Sequence, residues 1–335
     1  MRGLLLVAVL AVGLVAGGGW LEYRDFLVRP MVPEQGPQML LDVAPGTSLL
    51  DLSEKLTELG LVAHPYLFLA VAYLDGKAAS LKAGEYALSP GATPPELLDL
   101  VTSGKIVQHA FTVVEGWTYR QLLAAIARDG RIGNRFGKEP PAEVIMTYLG
   151  HPKQHPEGRF LPETYYFTKG AGNLDILRWA YGAMEQALQE EWERRDAKLP
   201  LKDPYEALIL ASIVEKEAGL AAERPIIGGV FIRRLHLGMK LQADPTVIYG
   251  LGERFKGNIT RAHLREDTAY NTYVHKGLPP TPIALPGRDT IRGVLQPQEG
   301  NALFFVAKGD GGHYFSATLA EHNQAVRRYL SKRRR

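Results

Sequence analysis

Residues 203–219, DPYEALILASIVEKEAG, leave the chain few options. Asp203 suits an N-cap, Pro204 the first helical position, and Glu206 stands three residues after the cap, as in a capping box. Gly219 supplies a C-terminal stop. The stretch therefore predicts a helix with both ends marked. At about 100° per residue, Leu210, Ile213 and Val214 form one apolar stripe. Glu217 falls within that stripe, one turn beyond Ile213 and Val214. Glu215 is expected on the other side, near Ser212 and Lys216, with water and a lysine available.

A carboxyl on a face that should be buried tends to keep its proton, because desolvation disfavours the charged form. A protonated carboxyl is what a general acid for glycosidic cleavage requires. The alternative from the helix alone is a glutamate at a helix end that reaches solvent or pairs with an arginine such as Arg224.

The chain has 335 residues, too many for one ordinary core, so at least two domains are expected. With 46% hydrophobic and 22% charged residues it belongs among folded proteins, not disordered ones. Its net charge is only +3, and much of the basic excess lies in the tail, at Arg327, Arg328, Lys332 and Arg333 onward. Such a tail reads as a solvated terminus, and no nucleic-acid partner is expected. The absence of cysteine excludes disulfides, thiolate chemistry, Cys-ligated zinc and a lipoprotein anchor, without fixing the compartment.

Residues 3–20 are an uncharged run rich in Leu, Val, Ala and Gly. At helical rise the run spans about 27 Å, close to a bilayer core. Arg2 precedes it, and Trp20 and Tyr23 lie at its far end, where interfacial aromatics belong. The expectation is a single-pass anchor in the plasma (inner) membrane, with the bulk of the chain on the extracytoplasmic side. A cleaved signal peptide competes, since Val15, Ala16 and Gly17 offer small residues.

The expected organisation is α+β: a cytoplasmic tip and transmembrane anchor at 1–21, a proline-containing linker at 22–38, a small α/β module at 39–107, a larger mixed α+β domain at 108–330 that includes connecting helices at 119–196, and a basic tail at 331–335. The loop at 157–165, with Gly, Pro and aromatics but no helical period, reads as a rigid surface turn. A helix is expected at 223–235. Residues 303–306 and 313–315, separated by the turn at 309–312, read as a β-hairpin whose first strand is buried.

Five phrases come in order after the marked helix begins: ASIVEKE at 211–217, FIRRLHLGMKLQADPTVIYG at 231–250, YNTY at 270–273, KGLPPTPIALPG at 276–287 and GGHYFSATLAEHN at 311–323. Taken together they closely resemble the endolytic murein transglycosylases of the YceG-like family. The phrase KAGEYALSPGATPPELLDLVTSGK at 82–105 resembles the LysM-like module that precedes the catalytic part in that family. Where the family phrase near Glu157 usually carries an aspartate, this chain has Glu163.

The resemblance implies an enzyme that cuts peptidoglycan glycan strands internally, between N-acetylmuramic acid and N-acetylglucosamine, and leaves 1,6-anhydromuramyl ends. It also implies termination of nascent strands, cell-wall synthases of the penicillin-binding type as partners, and no cofactor. The family's essential glutamate is the second in the IVEKE phrase, which is Glu217 here. A lytic transglycosylase uses the sugar's own C6 hydroxyl as nucleophile, so one carboxyl serves as acid and then as base. Acid–base help of this type is worth roughly 10²–10⁴-fold.

Candidates for holding the sugar are Gln242, Asp244, Thr246, Asn271, Tyr273, His313 and Asn323, whose amides, hydroxyls and ring faces suit N-acetyl groups and sugars. Each could instead make a local structural bond, and Tyr249 reads more as core. No metal site is expected, because His313, His322 and Asp310 lack a ligand spacing. Two other readings stay open: a glycan-binding scaffold for wall synthases that does not cut, and a water-using muramidase with Asp244 as the second acid.

Overall fold

The computed structural model describes residues 2–134, 137 and 140–333; the side chains of 2–6, 8 and 329–333 lie outside that description. The chain divides into two units, one of residues 1–109 with 166–169 and one of residues 110–165 with 170–335. The architecture is helix-rich α+β with small sheets.

The first unit holds helix α1 (Arg2–Val28), strand β1 (Met39–Val43), helices α2 (Leu49–Glu58) and α3 (Pro65–Leu74), strand β2 (Gly84–Leu88) and helix α4 (Pro94–Ser103). Strands β1 and β2 pair antiparallel, Met39 opposite Leu88 and Val43 opposite Gly84. The helices start where side chains can satisfy free amides. Ser48 and Asp51 form a capping box on α2, and Thr93 and Glu96 form one on α4. Leu41, Leu52, Phe68, Tyr86 and Leu97 fill the core between them. Residues 22–38, expected as a linker, are helical as far as Val28, and Phe26, Met31 and Val32 are buried in this same core. Apolar side chains spaced along the segment find a hydrophobic surface to cover, which outweighs the proline signal.

Among the described residues no helix is long and apolar enough to cross a membrane. The expected span at 3–20 includes residues 3–6 and 8, which fall outside the described side chains, as do residues 331–335 of the expected basic tail.

Strands β3 (His109–Thr112) and β4 (Thr164–Phe167) bracket helices α5 (Tyr119–Arg128) and α6 (Ala142–Tyr148) in the chain. The rest of the second unit runs α7 (Asn173–Glu193), α8 (Pro204–Glu217), α9 (Arg224–His236), α10 (Asp244–Leu251), α11 (Arg288–Leu295), β5 (Phe304–Ala307), β6 (His313–Ser316) and α12 (Leu319–Arg333). Helix α8 is the marked helix, and Asp203 accepts the Glu206 amide at 2.9 Å as its cap. It is packed by α7, α9, α10 and α11. Consequently every residue from Ala207 to Val214 is buried, not one stripe alone. Ser212 survives in that setting because its hydroxyl donates to Ile209 O at 2.7 Å and accepts the Ile283 amide at 2.9 Å. Helices α9 and α11 cross closely: a Cβ on Gly228 would lie 2.9 Å from Gly293 O.

Two local expectations change, the burial of β5 and the loop at 157–165. The helix expected at 223–235 is found as α9, preceded by a 3-10 turn, Ala221–Glu223. Strands β5 and β6 form the expected antiparallel hairpin, Phe304 opposite Ser316, but β5 is half-buried, not buried. The loop at 157–165 is not a surface turn either. Glu157, Phe160, Leu161 and Tyr165 are buried, with Phe160 stacked on Tyr119 at 5.5 Å between ring centroids.

Candidate active site

One cleft of about 410 Å³ in the second unit gathers the chemistry-bearing residues. Its lining includes Glu217 at the end of α8, Arg234 of α9, Gln242, Asp244 at the start of α10, Tyr273, and His313 on the hairpin. Phe304, Phe305 and Leu319 supply apolar wall. The hairpin is drawn against the end of α8 by a close approach: a Cβ on Gly219 would lie 2.6 Å from Gly311 O. Only glycine fits there, so Gly219 does more than stop the helix. It fixes His313 relative to Glu217.

The Glu217 carboxyl is pushed up to about 8, chiefly by burial and further by the Asp244 charge, with Arg234 pulling the other way. Its residue surface is still partly open, because the carboxyl faces the cleft. Among the described residues no group donates a hydrogen bond to it. Arg224, the alternative partner, is taken by Glu115 and by Glu215, the latter at 3.3 Å. A buried carboxyl with no cation bonded to it holds its proton near neutral pH and can give it to a ligand atom in the cleft.

Glu215 overturns its expectation of open water and lysine. Its side chain is 6% exposed and accepts hydrogen bonds from the Gly287 amide at 3.0 Å and the Thr290 hydroxyl, besides the Arg224 ion pair. Both glutamates of the phrase are therefore withdrawn from water, one into structure and one into the cleft.

Asp244 accepts the Tyr273 hydroxyl at 2.6 Å, which fixes its carboxylate at the cleft. Burial and this bond raise the tyrosine pKa, so Tyr273 stays a donor. Gln242 is the one non-glycine at positive φ among the described residues, at 49°, and its side chain is exposed at the cleft. Such backbone cost, of order 1–3 kcal/mol, is found where a side chain must be aimed. His313 lines the cleft with its Nδ1 held by Glu223 at 2.7 Å.

Three expected sugar-holding residues are placed elsewhere. Thr246 is fully buried, donating to Ala243 O at 2.8 Å and paired with the Thr272 hydroxyl at 2.9 Å. Asn271 is buried and donates to His263 O and Glu266 O, so its amide closes a loop. Asn323 is exposed on α12 and is not part of the cleft lining. Tyr249 is partly buried and donates to Glu157 at 3.0 Å.

Arg234 escaped the sequence reading, and His322 entered it only as a residue without metal-ligand spacing. Arg234 is buried, donating to Leu303 O and Leu241 O, each at 2.7 Å, with its guanidinium 5.2 Å from the Phe304 ring centroid. It clamps the hairpin to α9 and brings a positive field to Glu217. His322 stacks on Phe304 at 5.3 Å, and its pKa is lowered by burial and then by Arg234, which keeps it neutral. Another buried carboxyl, Glu157, lies away from the cleft lining. Burial pushes it up to about 7 against bonds from the Tyr119 amide at 2.8 Å and the Tyr249 hydroxyl. Among the described residues no cluster of three His, Cys, Asp or Glu has the spacing to hold a metal ion.

Comparison with known proteins places this arrangement. The model of the YceG-like family matches residues 41–328. A relative in Bacillus subtilis, named endolytic murein transglycosylase, is 30% identical over 337 residues, covering 96% of this chain and 92% of the relative. One of the same name in Streptococcus pneumoniae is 24% identical, covering 96% of this chain and 64% of its own length. The crystal structure of a YceG-like protein from Listeria monocytogenes superposes with a TM-score of 0.52 at 27% identity, over 86% of this chain and 98% of that one.

Proposed function

This chain belongs to the YceG-like family, and from that premise we propose that it is an endolytic murein transglycosylase whose general acid is Glu217. The observation that carries the assignment of the acid is a carboxyl withdrawn from water, its pKa raised to about 8, at a polar-lined cleft and without a cation bonded to it. Glu217 gives its proton to the glycosidic oxygen as the bond from C1 of N-acetylmuramic acid breaks. The C6 hydroxyl of the same sugar closes on C1 and passes its proton to the Glu217 carboxylate, which restores the acid, so the product is a 1,6-anhydro end and no water is consumed. Holding the sugar in a near-attack pose supplies the remainder of the rate. Asp244, Gln242 and Tyr273 are the polar groups placed to do so.

Three further elements belong to the same proposal. Residues 3–20 form a single membrane span with the bulk of the chain outside, a reading supported by the exposed Val9, Leu10, Val12, Leu14 and Val15 along α1. The module at 39–107 is LysM-like and holds glycan. Wall synthases are the partners, with cleavage ending nascent strands. Digestion of purified peptidoglycan by the full chain tests the activity. Anhydromuramyl ends within the glycan are expected, and binding without any cleavage would favour the scaffold reading.

A further inference from the structure

The hairpin clamp does not exhaust what Arg234 can bind. The residue is 6% exposed. Its Nε donates to Leu303 O at 2.7 Å, and its Nη1 donates to Leu241 O at 2.7 Å and to Lys240 O at 3.4 Å. An arginine stays charged and carries donors on all three nitrogens. Among the described residues Nη2 has no hydrogen-bond partner, yet it is not sealed from solvent as the orphaned Nε atoms of Arg159 and Arg224 are. Arg234 lines the cleft, so it is to the cleft that this nitrogen opens.

The charge of Arg234 is unmatched as well. Among the described residues no carboxylate forms an ion pair with it. The carboxyl whose charge reaches it is Glu217, which keeps its proton below about pH 8. Asp244 is engaged instead by the Tyr273 hydroxyl. A guanidinium taken out of water without a counter-ion is costly, and carbonyl bonds return only part of that cost. A carboxylate in the cleft meets both the open nitrogen and the unmatched charge. The wall beside it suits a short substituent. The Phe304 ring centroid lies 5.2 Å from the guanidinium, and His322, stacked on the same ring, keeps a buried Nδ1 without a partner. On a glycan strand, muramic acid differs from glucosamine by a lactyl ether at C3. That group ends in a carboxylate or, where a stem peptide is attached, in an amide that leads to peptide carboxylates.

We propose that Arg234 is the receptor for a carboxylate borne on the C3 lactyl group of the muramic acid beside Glu217, either the lactyl carboxylate itself or one of the attached stem peptide. This deepens the transglycosylase reading and rests on it. The site thereby tells muramic acid from glucosamine, and so fixes which of the two alternating glycosidic bonds of a strand meets the acid. Pairing also cancels the field by which Arg234 pulls the Glu217 pKa down, so the acid keeps its proton more firmly once a strand is bound.

The test measures binding of two pairs of probes to the full-length chain. One pair is N-acetylmuramic acid and its methyl ester. The other is N-acetylmuramyl-L-alanyl-D-glutamate and its diamide. In at least one pair the acid form is expected to bind about 10- to 100-fold tighter than the neutral form, and the pair that shows it names the source of the carboxylate. Arg234→Met is expected to abolish the difference. No preference for the acid form in either pair overturns the proposal, as does a preference that survives in Arg234→Met. If that variant does not fold, the guanidinium nitrogen resonances of Arg234 in the wild type decide. Movement with the acid form alone supports the proposal, and no movement with either form overturns it. A chain that prefers the acid forms but leaves no anhydro ends on glycan strands keeps this site and loses the reading beneath it.

Discussion

Asp244 and Glu217 line one cleft, with Asp244 fixed by the Tyr273 hydroxyl at 2.6 Å and its charge adding to the burial that lifts Glu217 to about 8. Removing the Asp244 charge should therefore lower the Glu217 pKa, though not to its ordinary value, because burial remains. Asp244→Asn is expected to move the descending alkaline limb of kcat/KM to lower pH. Arg234→Met should move it higher, since Arg234 opposes the shift. Limbs that move together, or not at all, would show that these charges do not set the acid.

Stability carries the same signature. Between its unfolded value of 4.5 and its folded value of about 8, Glu217 holds a proton in the folded chain that the unfolded chain has lost. The folded state binds more protons there, so stability falls as pH rises through that window and its contribution is fully present only below it. Because the carboxyl borders an open cleft, the expected total is about 2 kcal/mol, less than the full conversion of the shift. Glu217→Gln lacks this loss. Urea unfolding should show the variant gaining on the wild type between pH 5 and pH 9 while remaining inactive.

The two glutamates of the IVEKE phrase should separate cleanly. Glu215→Ala leaves Arg224, the Gly287 amide and the Thr290 hydroxyl without their shared acceptor. A cost of about 3 kcal/mol is expected from a buried charge losing its partner, read as a lower Tm. Glu217→Gln should cost activity and no stability at neutral pH.

At Gln242 backbone and side chain oppose each other. Glycine adopts its φ of 49° without cost, so Gln242→Gly should stabilise the fold by about 0.5–1 kcal/mol. The same change removes a cleft amide and should raise KM severalfold. Loss of both stability and activity would show that the side chain braces the fold instead.

What could be read from the chain follows from how local each cause is. Glu217 stood out because helical period alone sets it beside Ile213 and Val214. Glu215 did not, since its partners Gly287 and Thr290 come more than 70 residues later. Asp244, Gln242, Tyr273 and His313 announced themselves as polar residues inside ordered phrases. The same chemistry at Thr246 and Asn271 is spent on Ala243 O, Thr272, His263 O and Glu266 O, which spacing does not reveal. Arg234 resembles any basic residue in the last turn of a helix, and only the fold shows it buried under the hairpin. Glu157 lay in a segment with no period, and its burial depends on Tyr119 and Tyr249 from distant helices.

The most direct measurement digests glycan strands in ¹⁸O-labelled water with the full-length wild type beside Glu217→Gln, and weighs the products. Ring closure by the C6 hydroxyl predicts unlabelled wild-type products, lighter by one water than the reducing form, and none from the variant. Label at the new ends would make the enzyme a hydrolase and Asp244 its second carboxylate; unlabelled products from Glu217→Gln at the wild-type rate would remove Glu217 from the chemistry.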